Sequence, residues 1–334
     1  MLIFKYKTPY CSVYTRSAVE LTRVLLQVHF HGAVSADLLA TTADKFVELG
    51  LDKLGYEYIN SDDLWLQLNR SASGALVPAK SFGGPNDFGM RNLSSYIASK
   101  GLKLGLYNAA SLTTCAKAAG SLYKEIDDAK QFAAWNVSYL KYDQCGQDDV
   151  QPYQKYLAMR DALNISGTRF VYSFEPGVGV DTHPARYLPL VGNLYRTGHD
   201  IGPYFGAIQG LSFQANQWTN VATRGGWTDP GTLEIGNSNS TFNASEARAQ
   251  MALWCILKAP LLIGADLSNI GEAFLDILRN QDLIGECRCC PCAARSPRSS
   301  HSLAFTLVAT LTPQSHHSDQ SRSPLAHWTF GSQR

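Results

Sequence analysis

Short apolar segments alternate along most of this chain with segments whose apolar residues recur at helical spacing. This alternation is the pattern of repeated βα units, which build a parallel sheet. A chain of this pattern belongs to the α/β class. The predicted strands are Glu57–Asn60, Leu102–Tyr107, Val137–Tyr142, Arg169–Ser173, Asn193–Tyr195, a short segment before Asp229, and Pro260–Ile263.

The segments between these strands predict helices. Thr42–Leu49 and Asp127–Trp135 place their apolar residues largely on one face. Ser245–Leu257 does so most clearly, and Ser245 is its expected N-cap. An eighth strand near Arg23–Phe30 would close the sheet into a (β/α)8 TIM barrel, and an open, doubly wound sheet is the alternative.

Polar or charged side chains follow nearly every predicted strand. In a barrel all these strand ends meet at one mouth, whereas in an open sheet they spread along an edge. The barrel is therefore the preferred fold. The residues in question are Asp62, Asp63, Tyr107, Asn108, Asp143, Glu175, Arg196, Asp200, Asp229 and Asp266.

Composition excludes several classes of partner. The 334 residues are 45% hydrophobic, which is enough to bury one large core. The 29 basic and 28 acidic residues nearly balance, and no basic cluster is interleaved with aromatics in the body of the chain, so nucleic acid is not an expected partner. No apolar run approaches the roughly 20 residues that span a bilayer, so no membrane partner is expected, and no signal peptide is evident.

Asparagine usage nevertheless points to the secretory route. Six Asn-X-Ser/Thr sequons occur, where chance gives about one or two. We therefore expect a glycoprotein located outside the cell, in the cell wall, or in a vacuole or lysosome. The sequons begin at Asn69, Asn92, Asn136, Asn164, Asn239 and Asn243.

Two carboxylates at strand ends have the sequence context of a glycosidase pair. Asp143 ends an apolar strand and has Lys141 two residues earlier on the same face, so an ammonium can keep the carboxylate ionised. Asp200 lies in a loop with Arg196, which could hold a sugar hydroxyl. Glycoside hydrolysis needs one carboxylate at the anomeric carbon and another to protonate the leaving oxygen. A helix cap for Asp143 and a turn for Asp200 are the structural alternatives.

Further polar residues would face the same mouth. Asp62 and Asp63 can accept hydrogen bonds from sugar hydroxyls, while Trp65 could cover the apolar side of a pyranose. A paired helix cap or a calcium site is the alternative for the two acids. Glu175 closes its own strand and would also face the mouth.

Five motifs, taken in order, resemble the α-galactosidases of glycoside hydrolase family twenty-seven. The resemblance covers about His29 to Gly285, and five motifs in sequence are far more specific than any one of them. The motifs are Gly55–Asp63, Gly101–Tyr107, Tyr139–Asp143, Gly225–Pro230 and Lys258–Gly264.

The resemblance implies a (β/α)8 barrel that removes terminal α-linked galactose by double displacement, without a cofactor or metal. It makes Asp143 the nucleophile and Asp200 the acid/base, and it pairs Cys115 with Cys145 in a disulfide beside the site. The positions that it implies for holding the sugar are Asp62, Asp63, Tyr107, Lys141, Glu175, Arg196 and Asp229.

The substrate specificity, and departures of this sequence from the family pattern, leave alternative functions open. By the resemblance, Glu175 stands where relatives that take N-acetylgalactosamine carry a small residue, which argues against an α-N-acetylgalactosaminidase, and retention of Asp62 and Asp63 argues against a β-L-arabinopyranosidase. An inactive sugar-binding remnant is the third reading. Gly231 and Thr232 replace the Asp-Met pair that is usual in the family.

The two ends of the chain depart most from the family pattern. Residues 1–28 form an atypical N-terminal segment in which the first strand is degenerate, and 29–285 form the expected barrel. Residues 286–334, rich in Cys, Ser and Arg, are expected to be a disordered tail, and the family's C-terminal antiparallel β domain is not recognisable in them.

Overall fold

The computed structural model describes residues 22–25, 33–84, 88–146, 148–175, 188–218, 221–223 and 225–288. Within them eight parallel strands form one sheet in the order β7-β6-β5-β4-β3-β2-β1-β8. The strands are β1 Thr22–Leu25, β2 Tyr56–Asn60, β3 Lys103–Ala109, β4 Val137–Asp143, β5 Val171–Phe174, β6 Leu194–Arg196, β7 Trp227–Asp229 and β8 Leu261–Ile263.

The sheet curls into a (β/α)8 barrel, as the sequence predicts. β1 pairs with both β2 and β8, so the strands that are first and last in the chain are neighbours. Leu233, just after β7, forms a parallel bridge with Ile263 of β8, which brings together the two ends of the strand order. The first strand lies at Thr22–Leu25, inside the segment that the sequence sets apart as atypical.

Helices connect the strands. They are α1 Ala36–Glu48, α2 Phe88–Ser99, α3 Glu125–Ala134, α4 Pro152–Ile165, α5 Leu188–Val191, α6 Phe205–Asn216, α7 Ala244–Ile256, α8 Glu272–Leu278 and α9 Gln281–Arg288. Two of the predicted helix starts were wrong. α1 begins at Ala36 after the Ser35 cap, and α7 is capped by Asn243, which forms a capping box with Glu246, and not by Ser245.

Apolar side chains fill the barrel interior beneath the C-terminal ends of the strands. Tyr58, Tyr139, Val171, Leu194 and Trp227 form a separate buried cluster inside the barrel. Because side chains of a strand alternate, the inward positions after Tyr139 on β4 are occupied by Lys141 and Asp143. This apolar cluster therefore lies nearer the N-terminal ends of the strands than the charged residues do. None of the helices described in the structure is long and apolar enough to cross a membrane.

Candidate active site

A cavity of about 540 Å³ opens at the C-terminal ends of the strands. This is the end of the barrel at which the sequence places its polar side chains, and the volume lies in the usual range for small-molecule sites. The predicted site residues that line the cavity are Asp62, Asp63, Tyr107, Lys141, Asp143, Arg196, Asp200 and Asp229.

Asp143 ends β4 and is held by three neighbours. Its Oδ2 accepts a hydrogen bond of 3.1 Å from the Tyr107 hydroxyl, and its Oδ1 accepts one of 2.9 Å from the backbone N–H of Gln144. The Nζ of Lys141 lies 4.0 Å from the same Oδ2. The carboxylate is therefore fixed in orientation beside a positive charge.

Lys141 links two carboxylates in a nearly dry environment. Its Nζ lies 2.6 Å from Asp62 Oδ2, and the Asp62 Oδ1 accepts a hydrogen bond of 2.8 Å from the backbone of Asp63. Burial alone would lower the pKa of Lys141, but attraction to Asp62 and Asp143 outweighs burial and holds that pKa above its ordinary value. Lys141 therefore stays cationic between its two partners.

Asp63 ties two loops of the site together. Its Oδ1 accepts a hydrogen bond from the backbone of Leu64, and its Oδ2 accepts one from the backbone of Ala116, each of 2.8 Å. Leu64 has φ +75°, a left-handed conformation that costs a non-glycine residue about 1 kcal/mol or more. The carboxylate of Asp63 offsets that strain, and Leu64 and Ala116 both line the cavity.

Tyr107 lies beside a disulfide. Cys115 and Cys145 are bonded, as the resemblance implies, and the Tyr107 hydroxyl lies 3.2 Å from Cys145 Sγ. Burial holds the pKa of Tyr107 above its ordinary value, so the hydroxyl stays neutral and donates to Asp143. Cys115, Cys145 and Asp143 also form a close group of potential metal-binding atoms, but both sulfurs are in the disulfide and are not free thiolates.

Arg196 lies between two carboxylates on the other side of the cavity. Its Nη1 is 3.1 Å from Asp200 Oδ1 and 3.5 Å from Glu175 Oε2. The cavity walls around the exposed Asp200 side chain partly desolvate it and favour a higher pKa, but attraction to Arg196 and Lys141 outweighs this and holds that pKa below its ordinary value. Burial raises the pKa of Glu175 to about 7, more than the pull of Arg196 lowers it.

Two sequence expectations change in the structure. Glu175 contacts Arg196 but is not a wall of the cavity. Trp65 is fully buried, so its expected role as a sugar-stacking surface was wrong. Its ring packs edge-on against Trp135 and its Nε1 donates a hydrogen bond of 2.8 Å to the carbonyl of Tyr107. Trp65 thus supports the backbone that carries the Tyr107 hydroxyl.

Sequence reasoning missed Glu234 and Asn237, in the segment after β7. Glu234 accepts hydrogen bonds from the Thr232 hydroxyl at 2.9 Å and from the Asn237 amide at 2.7 Å, and all three residues line the cavity. The backbone N–H of Gly231 donates to Asp229 Oδ1 at 2.8 Å. The signal available was a glutamate and an asparagine in an otherwise apolar run, Leu233–Asn237.

Comparison with known proteins places the chain in a family. The family model described as Alpha galactosidase A, named Melibiase_2, matches residues 26–287. The chain belongs to this family. The match begins and ends close to the limits of the barrel, and it includes all the cavity residues described above.

Individual relatives in sequence and in structure are consistent with this family assignment. Alpha-galactosidase 3 of Arabidopsis thaliana is 42% identical over 253 residues, which are 75% of this chain and 56% of that protein. The α-galactosidase of Saccharomyces cerevisiae, solved with raffinose, is 28% identical with a TM-score of 0.74, over 82% of this chain and 66% of that one. α-Galactosidase I of Mortierella vinacea is 28% identical with a TM-score of 0.73, over 82% and 74%. The chain thus spans little more than half the length of the Arabidopsis relative.

Proposed function

We propose that the protein is a retaining α-galactosidase that removes terminal α-linked galactose from oligosaccharides and glycoconjugates. The observation that carries the proposal is the setting of Asp143, whose carboxylate is oriented by Tyr107 and Gln144 with the Lys141 ammonium 4.0 Å away. A nucleophile needs a fixed direction, and a neighbouring positive charge favours the carboxylate. Asp200 lines the same cavity and supplies the second carboxylate.

The reaction proceeds in two displacements. In the first, an Asp143 oxygen bonds to the anomeric carbon of galactose as the bond to the leaving oxygen breaks, and Asp200 gives that oxygen a proton. In the second, Asp200 takes a proton from water, whose oxygen attacks the anomeric carbon and releases Asp143. Two inversions give net retention of the α configuration.

Asp200 changes its protonation between the steps. With the cavity open, its side chain is 87% exposed and paired with Arg196, which favours the carboxylate. A bound galactoside covers this side chain and removes its water, and loss of solvation raises the pKa of a carboxyl group. Substrate binding therefore converts Asp200 into the acid that the first displacement needs.

The buried charges around the cavity hold the sugar. Asp62 and Asp63 present carboxylate oxygens to hydroxyl groups, and Arg196 presents N–H groups from the opposite side. Glu175 Oε2 lies 3.5 Å from Arg196 Nη1 and holds the guanidinium in position. Glu175 therefore affects sugar binding through Arg196. Asp229, buried beside Gly231, completes this set.

The secretory route is part of the proposal. The asparagines of all six sequons are exposed, so each can receive a glycan without disturbing the core. The disulfide beside Tyr107 is of the kind that persists in an oxidising compartment. Protein purified from a eukaryotic secretory host should lose mass when treated with a peptide N-glycosidase, and an unchanged mass would contradict glycosylation.

Hydrolysis of p-nitrophenyl α-galactoside tests the function. The purified protein should release p-nitrophenol, and proton NMR should show α-galactose as the first sugar product. A first product in the β configuration would contradict retention. Parallel assays on the aryl α-N-acetylgalactosaminide and β-L-arabinopyranoside test the sibling specificities, and galactose binding without turnover of any glycoside would identify a sugar-binding remnant.

A further inference from the structure

The loop that carries Asp200 lies against one side of helix α6. On this helix Leu211 belongs to the buried apolar face, and Gln214 lies three residues further along the same side. These side chains cover Gly198, which is buried two residues before Asp200. Residues that do not line the cavity thus contact the loop that brings the second carboxylate to it.

Two side chains of α6 occupy the space that a side chain at position 198 would need. A Cβ on Gly198 would lie 2.4 Å from Gln214 Oε1 and 2.5 Å from Leu211 Cδ2. Gly198 does not have a positive φ, so this close approach, and not an unusual backbone conformation, is what requires a glycine. The backbone of the loop therefore rests directly on Leu211 and Gln214, which we call the α6 seat.

The same loop is held from its other side by Arg196 and by strand β7. Thr197 donates its backbone N–H to the carbonyl of Asp229 at 3.0 Å, and Arg196 Nη2 donates to the carbonyl of Gly198 at 3.4 Å. After Gly198 the chain becomes exposed, and the Asp200 carboxylate reaches back to Arg196 at 3.1 Å. The loop backbone is thus fixed from two sides, two residues before the exposed carboxylate.

The amide oxygen of Gln214 acts through contact and not through a hydrogen bond. This Oε1 is shielded from solvent and has no hydrogen-bond donor among the residues that the structure describes. A buried acceptor without a donor costs stability, and an apolar side chain of the same length would avoid that cost. We therefore expect the shape of the side chain, and its contact with Gly198, to carry its effect.

We propose that Gln214 is a positioning residue for Asp200, because the α6 seat fixes the loop that places this carboxylate beside the leaving oxygen. The inference rests on the proposed function, in which Asp200 protonates that oxygen. A proton donor must lie within hydrogen-bond reach of its target, and a displacement of about 1 Å can lower a rate about 10²-fold. Gln214 does not line the cavity, so its effect passes through the loop backbone.

Two substrates separate the acid step from the rest of the active site. Raffinose has a sugar leaving group that must be protonated as it departs, whereas the fluoride of α-galactosyl fluoride leaves without a proton. In Gln214→Ala, the ratio of kcat/KM for raffinose to kcat/KM for α-galactosyl fluoride should fall about tenfold. General damage to the fold would lower both values and leave their ratio unchanged, and an unchanged ratio overturns the positioning role.

Matched variants control for the amide group and for the helix. Gln214→Met keeps the length of the side chain without the amide and should hold the ratio within about twofold of wild type. Gln209→Ala removes an exposed glutamine from the same helix and should not change the ratio. An equal fall in Gln209→Ala, or a fall in Gln214→Met as large as in Gln214→Ala, contradicts a role through contact with the loop.

Unfolding in urea tests the α6 seat even without turnover. Gly198→Ala places a methyl group against the seat, so both the urea midpoint and the substrate ratio should fall. Adding Gln214→Ala removes one of the two overlaps, so the midpoint of the double variant should fall by less than the sum of the two single falls. Additive falls would overturn the contact. A wild-type protein that hydrolyses neither substrate contradicts the proposed function, while this comparison still tests the α6 seat by itself.

Discussion

Two walls of the cavity differ in how completely they are built before a ligand arrives. The strand wall, Asp62, Tyr107, Lys141 and Asp143, is buried at the ends of β2 to β4, and its side chains bond to one another. The loop wall, formed by 200–203, carries the carboxylate of Asp200, whose side chain is 87% exposed. One wall is preorganised and the other is open to solvent.

The difference matches the two chemical tasks of the proposed mechanism. A nucleophile must keep one charge and one direction throughout, which a buried network of charges and hydrogen bonds provides. An acid/base must change its protonation during each turnover, which is easier for a side chain whose solvation changes when substrate binds. The contrast predicts that substitutions in the two walls affect catalysis differently.

The largest effect is expected from Asp143→Ala in the strand wall. Loss of the nucleophile should lower kcat for p-nitrophenyl α-galactoside by at least about 10⁴-fold, with the fold intact by circular dichroism. Asp276→Ala, which removes an exposed carboxylate on α8, is the control and should leave kcat unchanged. Turnover of Asp143→Ala at the wild-type rate would refute the nucleophile assignment.

The effect of a substitution in the loop wall should depend on the leaving group of the substrate. Asp200→Ala removes the acid, so kcat/KM for raffinose should fall about 10³-fold, because its sugar leaving group needs a proton. α-Galactosyl fluoride needs no proton to leave, and its first displacement should fall by less than about tenfold. Equal losses on the two substrates would show that Asp200 is not the acid.

Lys141→Met tests how much the strand wall depends on its central cation. The change leaves the Asp62 carboxylate buried without its ammonium and should lower the free energy of unfolding by about 3 kcal/mol, measured in urea. Adding Asp62→Asn removes the uncompensated charge and should recover more than half of that loss, while activity stays low. A second substitution that adds its own full loss of stability would contradict the coupled pair.

The smallest effect is predicted for Glu175, which contacts Arg196 at the edge of the cavity. Its pKa is raised to about 7 in the folded protein, against an ordinary value of 4.5. The stability that its proton contributes is full below about pH 4.5 and is lost as pH rises through 7, on the order of 2 kcal/mol.

Glu175→Gln cannot titrate, so its Tm should fall less than that of wild type between pH 5 and pH 7.5, roughly. The control is Glu272→Gln, which replaces an exposed glutamate paired with Arg279 and should follow the wild-type pH dependence. A Glu175→Gln protein whose Tm tracks wild type across this range would contradict the raised pKa.

The strands were predictable because a parallel sheet buries both faces. The six predicted strands that have stated bounds match observed strands within about two residues at each end, and the short segment before Asp229 is also a strand. Lys141 and Asp143 fall on the predicted inward face of β4. The first residues of the helices were harder to predict. Ser245 and Asn243 are both good caps, and only the reciprocal bonds with Glu246 decide for Asn243.

Side-chain partners in the site were the least predictable part. Trp65 follows two acids and suggested a sugar surface, yet it packs against Trp135, seventy residues away in the chain. Glu175 directly follows β5, as expected, but it contacts Arg196 of β6 and does not itself line the cavity. Such outcomes depend on contacts between distant segments, which neither strand nor helix periodicity encodes.

The central claim, that Asp143 is the nucleophile of a double displacement, is tested most directly by trapping its covalent intermediate. A fluorinated galactosyl fluoride that reacts quickly in the first displacement and slowly in the second should leave one fluorogalactosyl unit on the protein. The account predicts this mass on the peptide that carries Asp143, and its absence in Asp143→Ala. A label on another carboxylate, or continued turnover with no label, would contradict it.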